Sequence, residues 1–343
     1  VIVLIPTISV LRLVLCSWLG FESAAQPINT HEHIQSEAEV PKLLAVMDGL
    51  GIERTVLVGS SWFTITLNED VGFTRYDENN EALLQIVERW PGRFEAWPTV
   101  TPEDPEMLPK FRSLVERGAT GLRLYLGHGF RARKTGKYFF HTRPLDDPAM
   151  LPLYAFCEEQ FIPICFHVNP GPKTPGFAQE FIAVLTQFPD LKVICPHFML
   201  SSIKDSRLRE FLDTFPNVYS DISFGHDDYL RAGLQRVSRD PAKFRALFME
   251  YPDRFMFGTD CVITNYHVKD EDWIRARYQS YLDLLGKETY HSPTLPGETL
   301  NGLALPPDLL NHVLRENYLA FKAKKPTGTK ITREIDWDRM GLK

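Results

Sequence analysis

Four histidines and one aspartate stand where short apolar runs end. His31 and His33 close Asn29-Thr30-His31-Glu32-His33, His167 follows Ile164-Cys165-Phe166, His197 follows Ile194-Cys195-Pro196, and Asp260 follows Phe257-Gly258-Thr259. In an extended strand, residues two apart point to one side, so the His31 and His33 imidazoles can reach one ion from one strand end. Metal sites that activate water combine imidazoles with a carboxylate and keep a position open. His31, His33, His167 and Asp260 make such a set, and His197 is then placed to hold or move a proton. Each residue has an ordinary alternative. His31 and His33 can be strand-end hydrogen bonders, His167 and His197 core histidines, and Asp260 the cap of the next turn. A lone His-x-His is a weak signal, whereas convergence on four strand ends is hard to obtain by accident.

The neighbours suggest a pocket for a small, acidic molecule. Arg123, near the end of the run 121–126, can clamp a substrate carboxylate through both guanidinium nitrogens, or pair with a buried acid. Trp62 and His128 can line the mouth. Their alternatives are an aromatic cover and a solvated loop histidine. Asp221 is expected to orient neighbouring loops. Cys165 and Cys195 each precede a site histidine by two, so strand parity puts each on that histidine's face, one layer deeper, as a small filler.

The elements that position these groups alternate. Apolar, β-branched-rich runs near residues 27–31, 55–59, 94–100, 121–126, 162–168, 191–197, 218–223 and 255–260 read as buried parallel strands. Between them, helical-period patterns cover 39–50, 77–90, 105–117, 148–160, 178–188, 202–215 and 241–251, with a last helix over 307–322. Eight strands and eight helices predict an α/β fold, a (β/α)8 TIM barrel, whose sites lie at the carboxyl ends of the strands. Residues 261–306 are too long for one loop. They form an insertion after strand eight with a helix over 270–285, read as a lid or an oligomer contact of a homodimer.

Composition narrows the function classes. The 343 residues are 44% hydrophobic and 24% charged, enough for one large core and too ordered in pattern for a disordered chain. A net charge of −6 with no basic run argues against nucleic-acid binding. Five cysteines in this length make no disulfide scaffold. Residues 1–25 are apolar and end in small residues around Ala25, which reads as a signal peptide or as an N-terminal extension. Pro6 and Arg12 interrupt the apolar run, which argues against a membrane span. Residues 26–343 read as a single barrel domain. Its compartment stays open: export if 1–25 is a signal, the cytoplasm if the unpaired cysteines decide.

The motifs Asn29-Thr30-His31-Glu32-His33, Cys165-Phe166-His167, Cys195-Pro196-His197 and Phe257-Gly258-Thr259-Asp260 resemble the amidohydrolase-related family. That branch of the amidohydrolase superfamily includes aminocarboxymuconate-semialdehyde decarboxylase, the resorcylate decarboxylases and dicarboxylate lactonases. The resemblance spans about residues 27–322, and includes 144–148 and Arg315-Glu316-Asn317. It implies one divalent metal ion, zinc or manganese, at His31, His33, His167 and Asp260, with His197 beside the substrate. Binuclear relatives carry a strand-four lysine that is carbamylated. Arg123 stands there instead, and a guanidinium cannot make that bridge.

The expected activity is metal-dependent hydrolysis: an activated water attacks an ester, lactone or amide carbonyl, with Asp260 and His197 as the catalytic proton carriers. The alternatives are non-oxidative, metal-dependent decarboxylation of an aromatic or unsaturated acid, a lyase reaction, and a non-catalytic barrel that binds a metal or ligand.

Overall fold

The fold is taken from a computed structural model, which describes residues 26–60, 75–127, 130–131, 138–139, 143–169, 171, 175–199, 205–225, 227–325 and 327–342. Residues 1–25, Trp62 and His128 lie outside them. Eight parallel strands form the barrel: β1 (Ile28–Glu32), β2 (Arg54–Val58), β3 (Phe94–Trp97), β4 (Leu122–Leu124), β5 (Ile164–Phe166), β6 (Val193–Cys195), β7 (Val218–Asp221) and β8 (Phe255–Met256). They run in sequence order in two arcs, β1 to β3 and β4 to β8. The seams between the arcs are closed by fewer bonds. Thr99 bridges Arg123 across β3 and β4. Across β8 and β1, Thr30 N donates to Phe257 O, and Asp260 N to His31 O, both at 2.8 Å. The expected (β/α)8 barrel is the observed one.

Helices α1 (Val40–Leu50), α2 (Tyr76–Arg89), α3 (Met107–Glu116), α4 (Leu151–Glu159), α5 (Pro175–Gln187), α6 (Asp205–Thr214), α7 (Asp227–Arg239) and α8 (Pro241–Glu250) surround the strands. Helix α1 shows why. Its Leu43, Val46 and Met47 recur at helical spacing and are buried, Pro41 fits the first turn, and Gly51 at φ 70° ends it. Inside the barrel the strands contribute Ile28, Val56, Val58, Trp97, Cys165, Ile194, Tyr219 and Met256. Tyr318 and Phe321, from the helix Asn317–Ala323, join them and stopper the amino end.

Strand β1 departs from simple alternation. Asn29 pairs with Thr55 and Glu32 with Leu57, so Thr30 and His31 together oppose the single residue Val56. This bulge resets the parity of the strand. Asn29 and Glu32 face the outer layer, where both reach Tyr278. His31 and His33 face the barrel mouth.

The insertion after β8 differs from the expectation of a lid. Asp270 caps helix α9 (Glu271–Gly286) by accepting from Trp273 N at 2.8 Å. A hairpin, Thr289–Tyr290 with Leu300–Asn301, follows it. Helix α9 packs against the barrel flank, where Ile274, Tyr278, Tyr281, Leu284 and Leu285 are buried. The reason is its apolar face, which needs a partner and finds the outer layer of the core.

Candidate metal centre

At the carboxyl end of the barrel, His31 Nε2 and His33 Nε2 each lie 3.5 Å from Asp260 Oδ1. His31 Nε2 is buried and has no hydrogen-bond partner. Donor atoms bonded at about 2.0–2.1 Å to one tetrahedral ion stand about 3.3–3.4 Å apart. The three atoms therefore have the spacing of ligands around a shared cation, and are too far apart for good hydrogen bonds. Burial and the neighbouring His31 push the His33 imidazole well below its ordinary pKa, which keeps it neutral, the form that binds metal.

Each of these donors is aimed from behind. His31 Nδ1 donates to Asp221 Oδ2 at 2.7 Å, which fixes the tautomer and leaves Nε2 facing the centre. His33 Nδ1 lies 3.1 Å from Ser60 Oγ. Asp260 sits in the left-handed region, at φ 49°, just past the end of β8. Burial works against the charge on Asp221, yet His31, His197 and Ser223 hold its carboxyl well below the usual carboxylate range. The expectation that Asp221 orients loops is thereby sharpened: it orients an imidazole, and it also accepts from the His197 backbone amide at 3.0 Å.

His197 arrives by a different route from the one parity suggests. Ile194 pairs with Cys165 and shares its inward face, so Cys195 points outward, against the expectation that it lies beneath His197. The chain then turns through three left-handed residues, His197 at φ 61°, Phe198 at 53° and Met199 at 54°. Each costs roughly 1–2 kcal/mol in a non-glycine residue. The turn swings the imidazole back over the mouth, where Nε2 lies 3.5 Å from Asp260 Oδ2 and Nδ1 lies 2.8 Å from Ser223 Oγ. Gly225 at φ 77° passes so close that a Cβ there would stand 2.9 Å from Asp260 Oδ2. Burial lowers the pKa of His197, opposed by the Asp260 and Asp221 charges.

His167 borders this cluster and does not enter it. Its ring stacks on Tyr125 at 5.4 Å and meets the His197 ring edge-on at 5.2 Å. The atoms close enough to share an ion come from His31, His33 and Asp260, and a second close group, His31, His197 and Asp221, is already tied by hydrogen bonds. Tyr125 Oη lies 3.3 Å from His33 Nε2. Arg123 pairs in register with Cys165, one layer below, and is 1% exposed. Its guanidinium donates to Cys165 Sγ at 2.7 Å and lies over the Tyr125 ring. The expected clamp on a carboxylate is thus set into the floor beneath the mouth.

Sequence reasoning missed the support behind β1. Glu32 is fully buried and accepts four hydrogen bonds, from His33 N, Val262 N, Thr259 Oγ1 and Tyr278 Oη, at 2.8–2.9 Å. Burial raises its pKa to about 7, with the Asp260 charge adding and the donors opposing. The one signal in the sequence was its place between two site histidines, where alternation sends it to the other face.

The fold and the cluster define a class: a (β/α)8 barrel whose strand ends gather imidazoles and one aspartate into a candidate metal centre. The amidohydrolase family model matches residues 42–317. The chain belongs to the amidohydrolase family, whose members are metal-dependent enzymes. No curated protein sequence matches it. Among solved structures it is similar to an amidohydrolase from Burkholderia multivorans, with 12% identity, TM-score 0.55, and 87% of this chain and 99% of that one covered. It is also similar to the 4-oxalomesaconate hydratase of Rhodopseudomonas palustris, with 14% identity, TM-score 0.53, and coverage of 86% and 95%. A third is a Pseudomonas putida protein described as a 2-pyrone-4,6-dicarboxylic acid hydrolase, with 16% identity, TM-score 0.51, and coverage of 84% and 99%. At these identities the likeness is one of fold.

Proposed function

We propose that residues 26–343 are one catalytic domain that hydrolyses an ester, lactone or amide bond of a small acidic molecule, using one divalent ion, zinc before manganese. The observation that carries this reading is the 3.5 Å spacing of His31 Nε2 and His33 Nε2 from Asp260 Oδ1, with His31 Nε2 left without a partner. His31, His33 and Asp260 would hold the ion, and His167, beside Tyr125 and the His197 ring, is proposed as the fourth ligand. When bound, the ion supplies a Lewis acid that makes water nucleophilic at neutral pH.

The rest is done by the chain. Asp260 divides its carboxylate: Oδ1 faces His31 and His33, and Oδ2 faces His197. Oδ2 is therefore free to take the proton of the attacking water. His197 Nε2, its other nitrogen anchored at Ser223, passes a proton to the leaving group. Arg123, in the floor, would draw a substrate carboxylate toward the mouth by its charge. Trp62 and His128 remain proposed as walls of that mouth.

The test is a screen of lactones, esters, amides and hydroxybenzoates, with metal content measured on the same protein. The expected result is one ion per chain and metal-dependent opening of a carbonyl bond. Release of carbon dioxide from a hydroxybenzoate, with no hydrolysis, would overturn the hydrolytic assignment. Two tightly held ions would overturn the mononuclear one.

A further inference from the structure

Tyr278 and Tyr281 lie three residues apart on α9, so they share a helix face, and both are fully buried against the barrel. Tyr278 Oη donates to Glu32 Oε2 at 2.9 Å and accepts from Asn29 Nδ2 at 2.8 Å. Asn29 Nδ2 also donates to Thr259 Oγ1, which in turn donates to Glu32 Oε2. The circuit is complete: every polar hydrogen in it has an acceptor. It ends on three backbone amides. Glu32 Oε1 accepts from His33 N and Val262 N, and Asn29 Oδ1 accepts from His31 N. Those amides belong to the two β1 histidines and to the turn that follows Asp260.

Tyr281 faces a different segment. Its Oη accepts from Phe224 N at 2.7 Å. Phe224 follows Ser223, whose Oγ donates to Asp221 Oδ1 and lies 2.8 Å from His197 Nδ1. One helix outside the barrel thus reaches both halves of the centre by separate contacts.

We infer that α9 mounts the centre on two posts: Tyr278 positions the strand ends that carry His31, His33 and Asp260, and Tyr281 positions the β7 loop that steadies His197 and, through Ser223 and Asp221, the ring of His31. This rests on the metal-dependent reading above. Both tyrosines are positioning residues, since neither touches the reacting atoms. Groups that orient metal ligands typically change metal affinity by about 10–100-fold when removed.

The experiment measures zinc affinity of the full chain, by competition with a chromophoric chelator, for wild type, Tyr278→Phe and Tyr281→Phe. The visible spectrum of each cobalt-substituted form is recorded alongside. Tyr278→Phe is expected to bind zinc about 10–100-fold more weakly, with shifted cobalt bands. Tyr281→Phe is expected to weaken zinc binding less, since its contact reaches a single ligand, His31, by way of Ser223 and Asp221. Thermal unfolding of the metal-free proteins separates mounting from plain stability, because a merely structural tyrosine moves the midpoint and leaves affinity and spectrum in place. Glu32→Gln, which keeps the side-chain shape and alters only its hydrogen bonding, is the second variant, and weaker zinc binding is expected there too. Wild-type affinity in both Tyr278→Phe and Glu32→Gln overturns the inference alone. A loss in Tyr281→Phe as large as that in Tyr278→Phe overturns the assignment of the metal-holding half to Tyr278. A wild type that takes up neither zinc nor manganese overturns the functional reading itself.

Discussion

The two ends of the barrel bury side chains by opposite means. At the carboxyl end, Glu32, Asp221 and Ser223 are fully buried and polar, and each is held by several short hydrogen bonds. At the amino end, Phe321 and Tyr318 fill the barrel against Trp97, Tyr219, Ile28 and Val56. Charge there sits in one small network with Glu95 and Lys192 buried, where Lys322 meets Glu95 at 3.1 Å and Lys192 Nζ donates to Lys322 O. Shape and volume matter at the amino end, whereas single atoms matter at the carboxyl end. An isosteric change that the amino end would tolerate should disable the carboxyl end, and a change of volume should do the reverse.

The largest effect that tests this contrast is Asp260→Asn. Asparagine keeps the shape and an oxygen for the metal, but it accepts no proton at neutral pH. Turnover in single-turnover assays should fall by about 10²–10⁴, the worth of a general base, with unfolding little changed. Wild-type turnover in a metal-loaded variant would move that role to His197. Next in size is Phe321→Ala at the other end. It should cost about 3–5 kcal/mol in urea unfolding, while kcat per folded molecule stays the same. A lost kcat with intact stability would erase the distinction between the ends.

The smallest effect belongs to the flank. There the C-terminal residues Arg333 and Arg339 meet Glu210 and Asp213 on α6. Arg339→Ala should cost about 1 kcal/mol at neutral pH, as for a partly exposed pair. Burial opposes the charge on Asp213, but Tyr251 and Arg339 hold its pKa below the ordinary value. A depressed folded value means the contribution is present at neutral pH and is lost as pH falls through it. The gap between wild type and variant in urea midpoints should therefore close below roughly pH 4. A gap independent of pH would show that packing, not charge, carries the contact.

Much of this contrast was legible in the sequence. The apolar runs and helical periods specify the barrel, because a buried parallel strand needs β-branched residues and a flanking helix needs one apolar face. Strand ends and parity pointed to His31, His33, His167 and Asp260; the structure brings donor atoms of His31, His33 and Asp260 close together and sets His167 beside them. What stayed hidden depends on contacts far apart in the chain. Tyr278 lies 246 residues from Glu32, and nothing in its neighbourhood marks it as polar support rather than core. The path of His197 was misjudged for a local reason: alternation presumes extended backbone, and left-handed residues break it where no glycine announces the turn. The insertion at 261–306 read as a lid or an oligomer contact because of its length, while its packing follows from which side its apolar stripe faces.

The bulge in β1 makes residues 29–33 behave like a reading frame. Two residues oppose Val56 there, so the strand carries mouth-facing histidines and outward-facing Asn29 and Glu32 in one five-residue word. Deleting Glu32 would shift the frame and turn the His33 imidazole into the apolar outer layer, whereas deleting Thr30 would close the bulge and keep both histidines at the mouth. In a deletion scan residues 31–33 should therefore be among the least forgiving of the chain. Conservative substitutions at the same positions would cost less in folding, since they leave the frame intact, while those at His31, His33 and Glu32 would still strike the centre.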